Sequence, residues 1–254
     1  MIDGMSSSIR PPLIGPASPL RRLPAGLDTR QAMFWDGVRL ALEMLDISNA
    51  RLRDGLESIA EYGGGVDART SQAMLDAWSF VDSAHRLRSL LRELPRLKQK
   101  TPPMQSIYRA LQPSEALRHS VQHLQRDITR HAESGTPTWG TLSWQRMDSA
   151  EAGRAFILVP GAVRTMQNLG GLPSEPIVEN PDHIVLSAFG AHLNVSNTYR
   201  AVENFTTALD RSLEEAFAVT DDRLGSDAVL TVEFTVDGQH LTPNGARSDR
   251  GTGS

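Results

Sequence analysis

Apolar residues recur at helical spacing through the first half of the chain and alternate in parts of the second. Phe34, Val38, Leu42, Leu45, Leu52, Leu56 and Ile59 fall on one helical face, interrupted only by the polar pair Ser48 and Asn49. Asp28 or Thr29 supplies the cap, and Gly63-Gly64-Gly65 the stop. Met74, Ala77, Val81, Ala84, Leu87, Leu91 and Leu94 define a second helix, started by Asp67 or Thr70 and closed by Pro95. A short glycine joint between two long amphipathic helices predicts antiparallel packing. After Pro102-Pro103 comes a short segment, "MQSIYRAL". Gln112 or Ser114 then caps a further helix with Pro113 in its first turn and Leu117, Val121, Leu124 and Ile128 as its seam.

The period changes after Gly135. "TWGTLSWQRM" and "RAFILVPG" suit the two arms of a β-hairpin. A connector rich in glycine and proline leads to "HIVLSAFGAHLNV", read as one strand kinked or bulged at Gly190. Helical spacing returns with Tyr199, Val202, Phe205, Leu209, Leu213 and Phe217. Leu230, Val232, Phe234 and Val236 then alternate with polar residues as a last strand. The predicted fold is α+β. A disordered leader (1–27) precedes an antiparallel helical bundle (28–134), and a smaller antiparallel strand-rich part with one further helix (136–240) and an unfolded tail (241–254) follow.

Composition narrows the chemistry. The chain has 254 residues and no cysteine, which removes disulfide scaffolds, thiolate zinc sites, iron–sulfur clusters and cysteine nucleophiles. No apolar run reaches the roughly 20 residues of a membrane helix, and the N-terminus has no signal-like apolar block. A cytoplasmic protein with no membrane partner is expected. The net charge of −4 is unevenly spread: residues 1–134 carry 18 Lys and Arg against 15 Asp and Glu, the remainder 8 against 15. The acidic second half is therefore a candidate surface for a protein partner. No Walker, dinucleotide-binding or serine-hydrolase motif is present, and no cofactor is expected.

The densest chemistry lies in "EALRHSVQHL", residues 115–124. Arg118, His119 and His123 resemble the signature of the HEPN superfamily: an arginine, a polar residue, then a histidine four to six positions after the arginine. The resemblance covers only the helical part. It implies metal-independent RNA cleavage by a homodimer that pairs two motifs. His123 would exchange a proton with the ribose 2′-hydroxyl, Arg118 would stabilise the phosphate, and His119 would fill the polar support position. Asp82 or His85, on the neighbouring helix, would face the motif. Imidazole titrates near neutral pH and guanidinium grips phosphate oxygens as a fork, so the residue types suit the task. Arg126-Asp127 to His131 repeats the spacing.

Other readings stand beside this one. Residues five apart on an ideal helix point about 140° apart, so Arg118 and His123 need a distortion or a second subunit to meet. As plain surface histidines, His119 and His123 would do nothing. The cations between Arg86 and Lys100, with Arg88, Arg92, Lys98 and Lys100 as phosphate contacts, equally describe a solvated face. Asp82 and His85 equally describe a helix-surface pair. Trp139 and Trp144 would stack on a base or fill a core. RNA is the expected substrate on the enzymatic reading; the alternative is a non-catalytic, dimerising interaction protein.

Overall fold

A computed structural model describes residues 10–62, 68–95, 97–131, 137–147, 152–161, 183–217, 223, 227, 234–237 and 240–243. The glycine triplet, the connector, the start of the last predicted strand and the far ends of the chain lie outside these residues. The fold is α+β, as the patterns predict.

Five helices come first: α1 (Thr29–Tyr62), α2 (Ala68–Glu93), α3 (Pro102–Leu111), α4 (Pro113–Gln122) and α5 (Leu124–His131). Asp28 caps α1, its Oδ1 accepting from the Gln31 N–H at 2.8 Å. α1 and α2 form the most extensive helix pair. Their contact buries Val38, Leu42, Leu45, Leu52 and Leu56 against Met74, Phe80, Val81, Leu87 and Leu91. The polar interruption in α1 does not leave the core: Ser48 and Asn49 are both buried, and the Ser48 hydroxyl donates back to the Met44 carbonyl at 2.5 Å.

The helix expected to run from Pro113 through Ile128 instead breaks at His123. There φ is −114° and ψ 33°, and the His123 N–H serves the carbonyls of His119 and Ser120 at 3.1 and 3.3 Å. Past the break the seam loses cover. Leu117 is fully buried, Val121 and Leu124 are half-buried, and Ile128 is exposed.

The sheet has the order β2-β1-β3-β4, every neighbour antiparallel, with β1 (Thr141–Met147), β2 (Gly153–Leu158), β3 (Ile184–Ala188) and β4 (Ala191–Asn194). β1 and β2 are the predicted hairpin. The third predicted strand is in fact two, and Gly190 is a turn rather than a bulge. Phe189 and Gly190 both take positive φ, 49° and 80°, as a tight two-residue hairpin turn demands. Gly140, at φ 78°, lies so close to β3 that a Cβ there would collide with the Ser187 carbonyl oxygen. Trp144 is buried and stacks on Phe156 at 5.1 Å, so it belongs to the core; Trp139 is exposed, and its carbonyl accepts from Trp78 Nε1 at 3.2 Å.

α6 (Val195–Phe217) follows β4 with no residue between, capped by Asn194 Oδ1, which accepts from the Asn197 N–H at 2.8 Å. All six predicted apolar positions of α6 are buried. Thr198 donates to the Ala110 carbonyl of α3 at 3.3 Å, and the Tyr199 hydroxyl to Asp46 Oδ1 of α1 at 2.5 Å. Helices and sheet therefore share one hydrophobic core, running from Ile14 to Phe217, rather than holding one core on each side of residue 135.

Residues 10–27 correct the expectation of an unfolded leader. Ile14, Leu20 and Leu23 are buried, and Pro19–Arg21 form a 3-10 turn. This strap is tied to α1 and α6 by polar bonds. The Leu13 N–H reaches Asp46 Oδ2 at 3.0 Å, Arg21 pairs with Glu43, the Ser18 hydroxyl donates to Asp210 at 2.9 Å, and Arg10 pairs with Glu203 at 2.6 Å. The prolines that look like disorder in the sequence here sit in a segment of bends and tight turns.

The chain divides into two compact units, 1–224 and 225–254. Within the second, β5 (Phe234–Asp237) and β6 (His240–Pro243) pair antiparallel, with Asp237 opposite His240. β6 thus extends strand structure into the expected tail.

Candidate functional site

α1 carries apolar residues on two sides. One ladder, Val38, Leu42, Leu45, Asn49, Leu52, is buried. A second, Met33, Gly37, Leu40, Met44, Ile47, has the same alternation of four and three and faces away from the core. Met33 is 70% exposed, Leu40 46%, Met44 53% and Ile47 58%; Leu75 of α2 adds 58%. Monomeric proteins rarely leave a continuous apolar face of this kind uncovered. Among the described residues, nothing packs over it.

Two grooves run along this face between α1 and α2, meeting at Met44. One, of about 390 Å³, is lined by Met44, Ile47, Arg51, Leu75, Trp78 and Asp82, among others. The other, of about 580 Å³, has Phe34, Gly37, Leu40, Ala41 and Met44 as one wall. Arg86, Ser89, Leu90 and Glu93 form the opposite wall, and His85 and Arg118 complete it.

Arg118 reaches this groove because α4 lies against α2, with Leu117 pointing into the core. Its Nε donates to Asp82 Oδ1 at 3.0 Å, and the other carboxylate oxygen of Asp82 accepts from Arg86 Nε at 2.6 Å. One acid thus orients two guanidinium groups. His85 stands half-buried beside them, and its Nδ1 is shielded from solvent without a hydrogen-bond partner. Burial, and next the charge of Arg118, hold its pKa below the ordinary value of 6.5; Arg88 adds to this, while Glu115 and Asp82 oppose it. The shift favours the uncharged ring.

His119 and His123 stand elsewhere. Both are exposed, with ring centroids 4.5 Å apart, and Arg126 contacts His119 Nε2 at 3.2 Å. The helix break at His123 is a distortion of the kind the five-residue spacing calls for, but it leaves His123 against His119. Neither histidine lines the groove that contains Arg118. The structure therefore joins Arg118 to Asp82 and His85 and groups the two motif histidines with Arg126 of the second spacing.

The cationic strip divides as well. Arg88 is turned inward, its guanidinium donating to Glu115 at 2.8 Å and to Gln112 at 2.5 Å, which fastens α2 to α4. Arg92, Lys98 and Lys100 are exposed. In the acidic half, Glu203 and Asp210 of α6 hold the strap, and Asp148, Glu151, Glu175, Glu179, Asp182, Asp221 and Asp222 lie outside the described residues. Among the described residues no three or more histidine or acidic side chains gather as a metal site, and no helix is long and apolar enough to cross a membrane.

Comparison with family models, curated proteins and solved structures finds no match to this chain. The sequence pattern of the first helix did hold the missed feature. Met33, Leu40, Met44 and Ile47 repeat the core spacing two positions along, about 200° around the helix, and a helix apolar on opposite sides needs cover on both.

Proposed function

We propose that the chain works as a self-associating interaction protein, two copies meeting through the α1–α2 face. The observation that carries this reading is the exposed ladder Met33, Leu40, Met44, Ile47 with Leu75 beside it. Coiled-coil-like spacing on both sides of α1 suits an antiparallel helix pair that forms one layer of a four-helix bundle, the second copy providing the other layer. From Met33 to Arg51 the face is roughly 27 Å long, and two helices make it about 20 Å wide. That projection is on the order of 500 Å². The accessible area of a corrugated face is larger, close to the roughly 800 Å² per partner of a standard interface.

Charge supports a second copy as the occupant. Glu93 lines one end of the face, and Arg51, half-exposed and paired through Nε with the buried Asp76 at 3.2 Å, lines the other. A twofold axis near Met44 lays each over its opposite in the second copy, so the contact closes on itself. Light scattering after size exclusion should give a dimer mass for the native chain and a monomer mass for Leu40→Glu/Met44→Glu with its helicity unchanged. A native chain that is monomeric at every concentration sampled sinks the reading.

A second reading is metal-independent RNA cleavage, as the HEPN resemblance implies. It is favoured by the exposed contact of His119 with His123 and Arg126, which offers imidazole and guanidinium side by side. Labelled RNA incubated with the protein in EDTA should then be cut, and His123→Ala should stop the cutting without altering the fold. Intact RNA with the native chain removes this reading and leaves the first untouched.

A further inference from the structure

His85 occupies an unusual place on the proposed docking face. It lines the larger groove, where the α1 wall (Phe34, Gly37, Leu40, Ala41 and Met44) contributes no charged group. Its Nδ1 has neither water-accessible surface nor a hydrogen-bond partner. A neutral imidazole leaves one ring nitrogen as a weak unpaired acceptor there. A protonated ring would place an N–H donor and a full charge in the same spot with nothing to receive them. The charged groups that face it are Arg118 and Glu115 from α4, and Asp82 and Arg88 from its own helix. Both oxygens of Asp82 are engaged by Arg118 and Arg86, and one oxygen of Glu115 by Arg88 and Gln112, so both acids already serve other donors and neither is bonded to the ring.

We infer that the α1–α2 interface is proton-gated by His85: two copies associate while the imidazole is neutral and separate when it takes a proton. The inference rests on the self-association proposed above and adds its regulation. Seating a second copy removes water from the groove, and a charged ring loses more from that removal than a neutral one. The dimer therefore binds protons more weakly than the two free copies. By linkage, association weakens as the pH falls through the range between the two ring pKa values, which both lie below 6.5. Each copy brings one His85, so the dissociation constant rises by up to about 100-fold per pH unit within that range, tenfold for each proton taken up.

The test is sedimentation of the full chain at about pH 7.5, 6.0 and 4.5, settings that run from above the ordinary histidine pKa to well below it, with circular dichroism to confirm folding at each. The native chain should be dimeric at the highest pH and dissociate at the lowest, its dissociation constant rising at least about tenfold. His85→Gln should give the same dissociation constant at all three settings, whatever its value. Arg118→Gln relieves the charge that disfavours the imidazolium, and should move the dissociation to higher pH. An equal dissociation constant across the series for the native chain overturns the proton gate while leaving self-association standing. So does a His85→Gln chain that dissociates like the native one. A native chain monomeric throughout overturns both.

Discussion

Two flanks of α1, one residue apart in register, have opposite fates. Arg39, Glu43 and Asp46 form a charged ladder; Leu40, Met44 and Ile47 form an apolar one. The charged ladder is covered. Arg39 is only 2% exposed and bonds Asp36 and Glu43, Glu43 takes Arg21 of the strap, and Asp46 takes the Leu13 N–H and the Tyr199 hydroxyl. The apolar ladder is bare. Cover on this helix follows specific polar attachment as much as hydrophobicity: the strap goes where carboxylates anchor its backbone and its arginine. The uncovered leucine and methionines are left for an occupant from outside the described fold.

The sharpest way to break this contrast is to shave the buried ladder. Leu45→Ala opens a cavity at a fully buried site and should cost about 3 kcal/mol, read from the urea midpoint. Leu40→Ala, on the bare ladder, should change the stability of the monomer by less than about 0.5 kcal/mol. Comparable losses at both positions would mean that the two ladders are not distinguished by burial. Next in size is the Leu40→Glu/Met44→Glu pair, which should weaken self-association at least about 100-fold, some 2.7 kcal/mol.

The charged flank yields smaller effects. Tyr199→Phe removes the hydroxyl that binds Asp46 and should destabilise the chain by about 1.5 kcal/mol, with faster amide exchange at Leu13 as the strap loosens. Unchanged exchange would separate the strap's hold from the Tyr199 contact. The smallest effect belongs to Asp210. Burial raises its carboxyl pKa above 3.8, the Ser18 hydroxyl opposes this, and Glu214 adds to it. The folded chain then holds that proton more tightly than the unfolded chain, so stability falls as pH rises through the range just above 3.8. Asp210→Asn should flatten that part of the stability–pH curve and leave neutral-pH stability equal or slightly higher.

Much of this architecture was legible in the sequence because its period is strong. Val38 to Ile59, Met74 to Leu94 and Tyr199 to Phe217 all bury the predicted faces. The break at His123 was hidden because Val121, Leu124 and Ile128 continue the spacing, and only the loss of packing surface along the seam leaves the first two half-buried and Ile128 exposed. The β3–β4 turn was hidden because Phe189 is an unusual occupant of a positive-φ position. The site was half legible. Asp82 and His85 stand with Arg118 because α4 lies on α2. His123 does not join them, because five residues of nearly regular helix turn it to the other side. The strap was misread for a physical reason too: its prolines rule out an α-helical period, and its bonds go to carboxylates more than 20 residues away.

The missing linker between β4 and α6 has a mechanical consequence. Asn194 ends the strand and also caps the helix, so the hairpin and the long helix form one continuous lever. Tyr199 sits one turn along that lever and grips Asp46, the same carboxylate that holds the strap. The hairpin tip at Phe189–Gly190 is thus connected to the N-terminal segment by an unbroken route: β4, the Asn194 cap, the first turn of α6 and the Asp46 carboxylate.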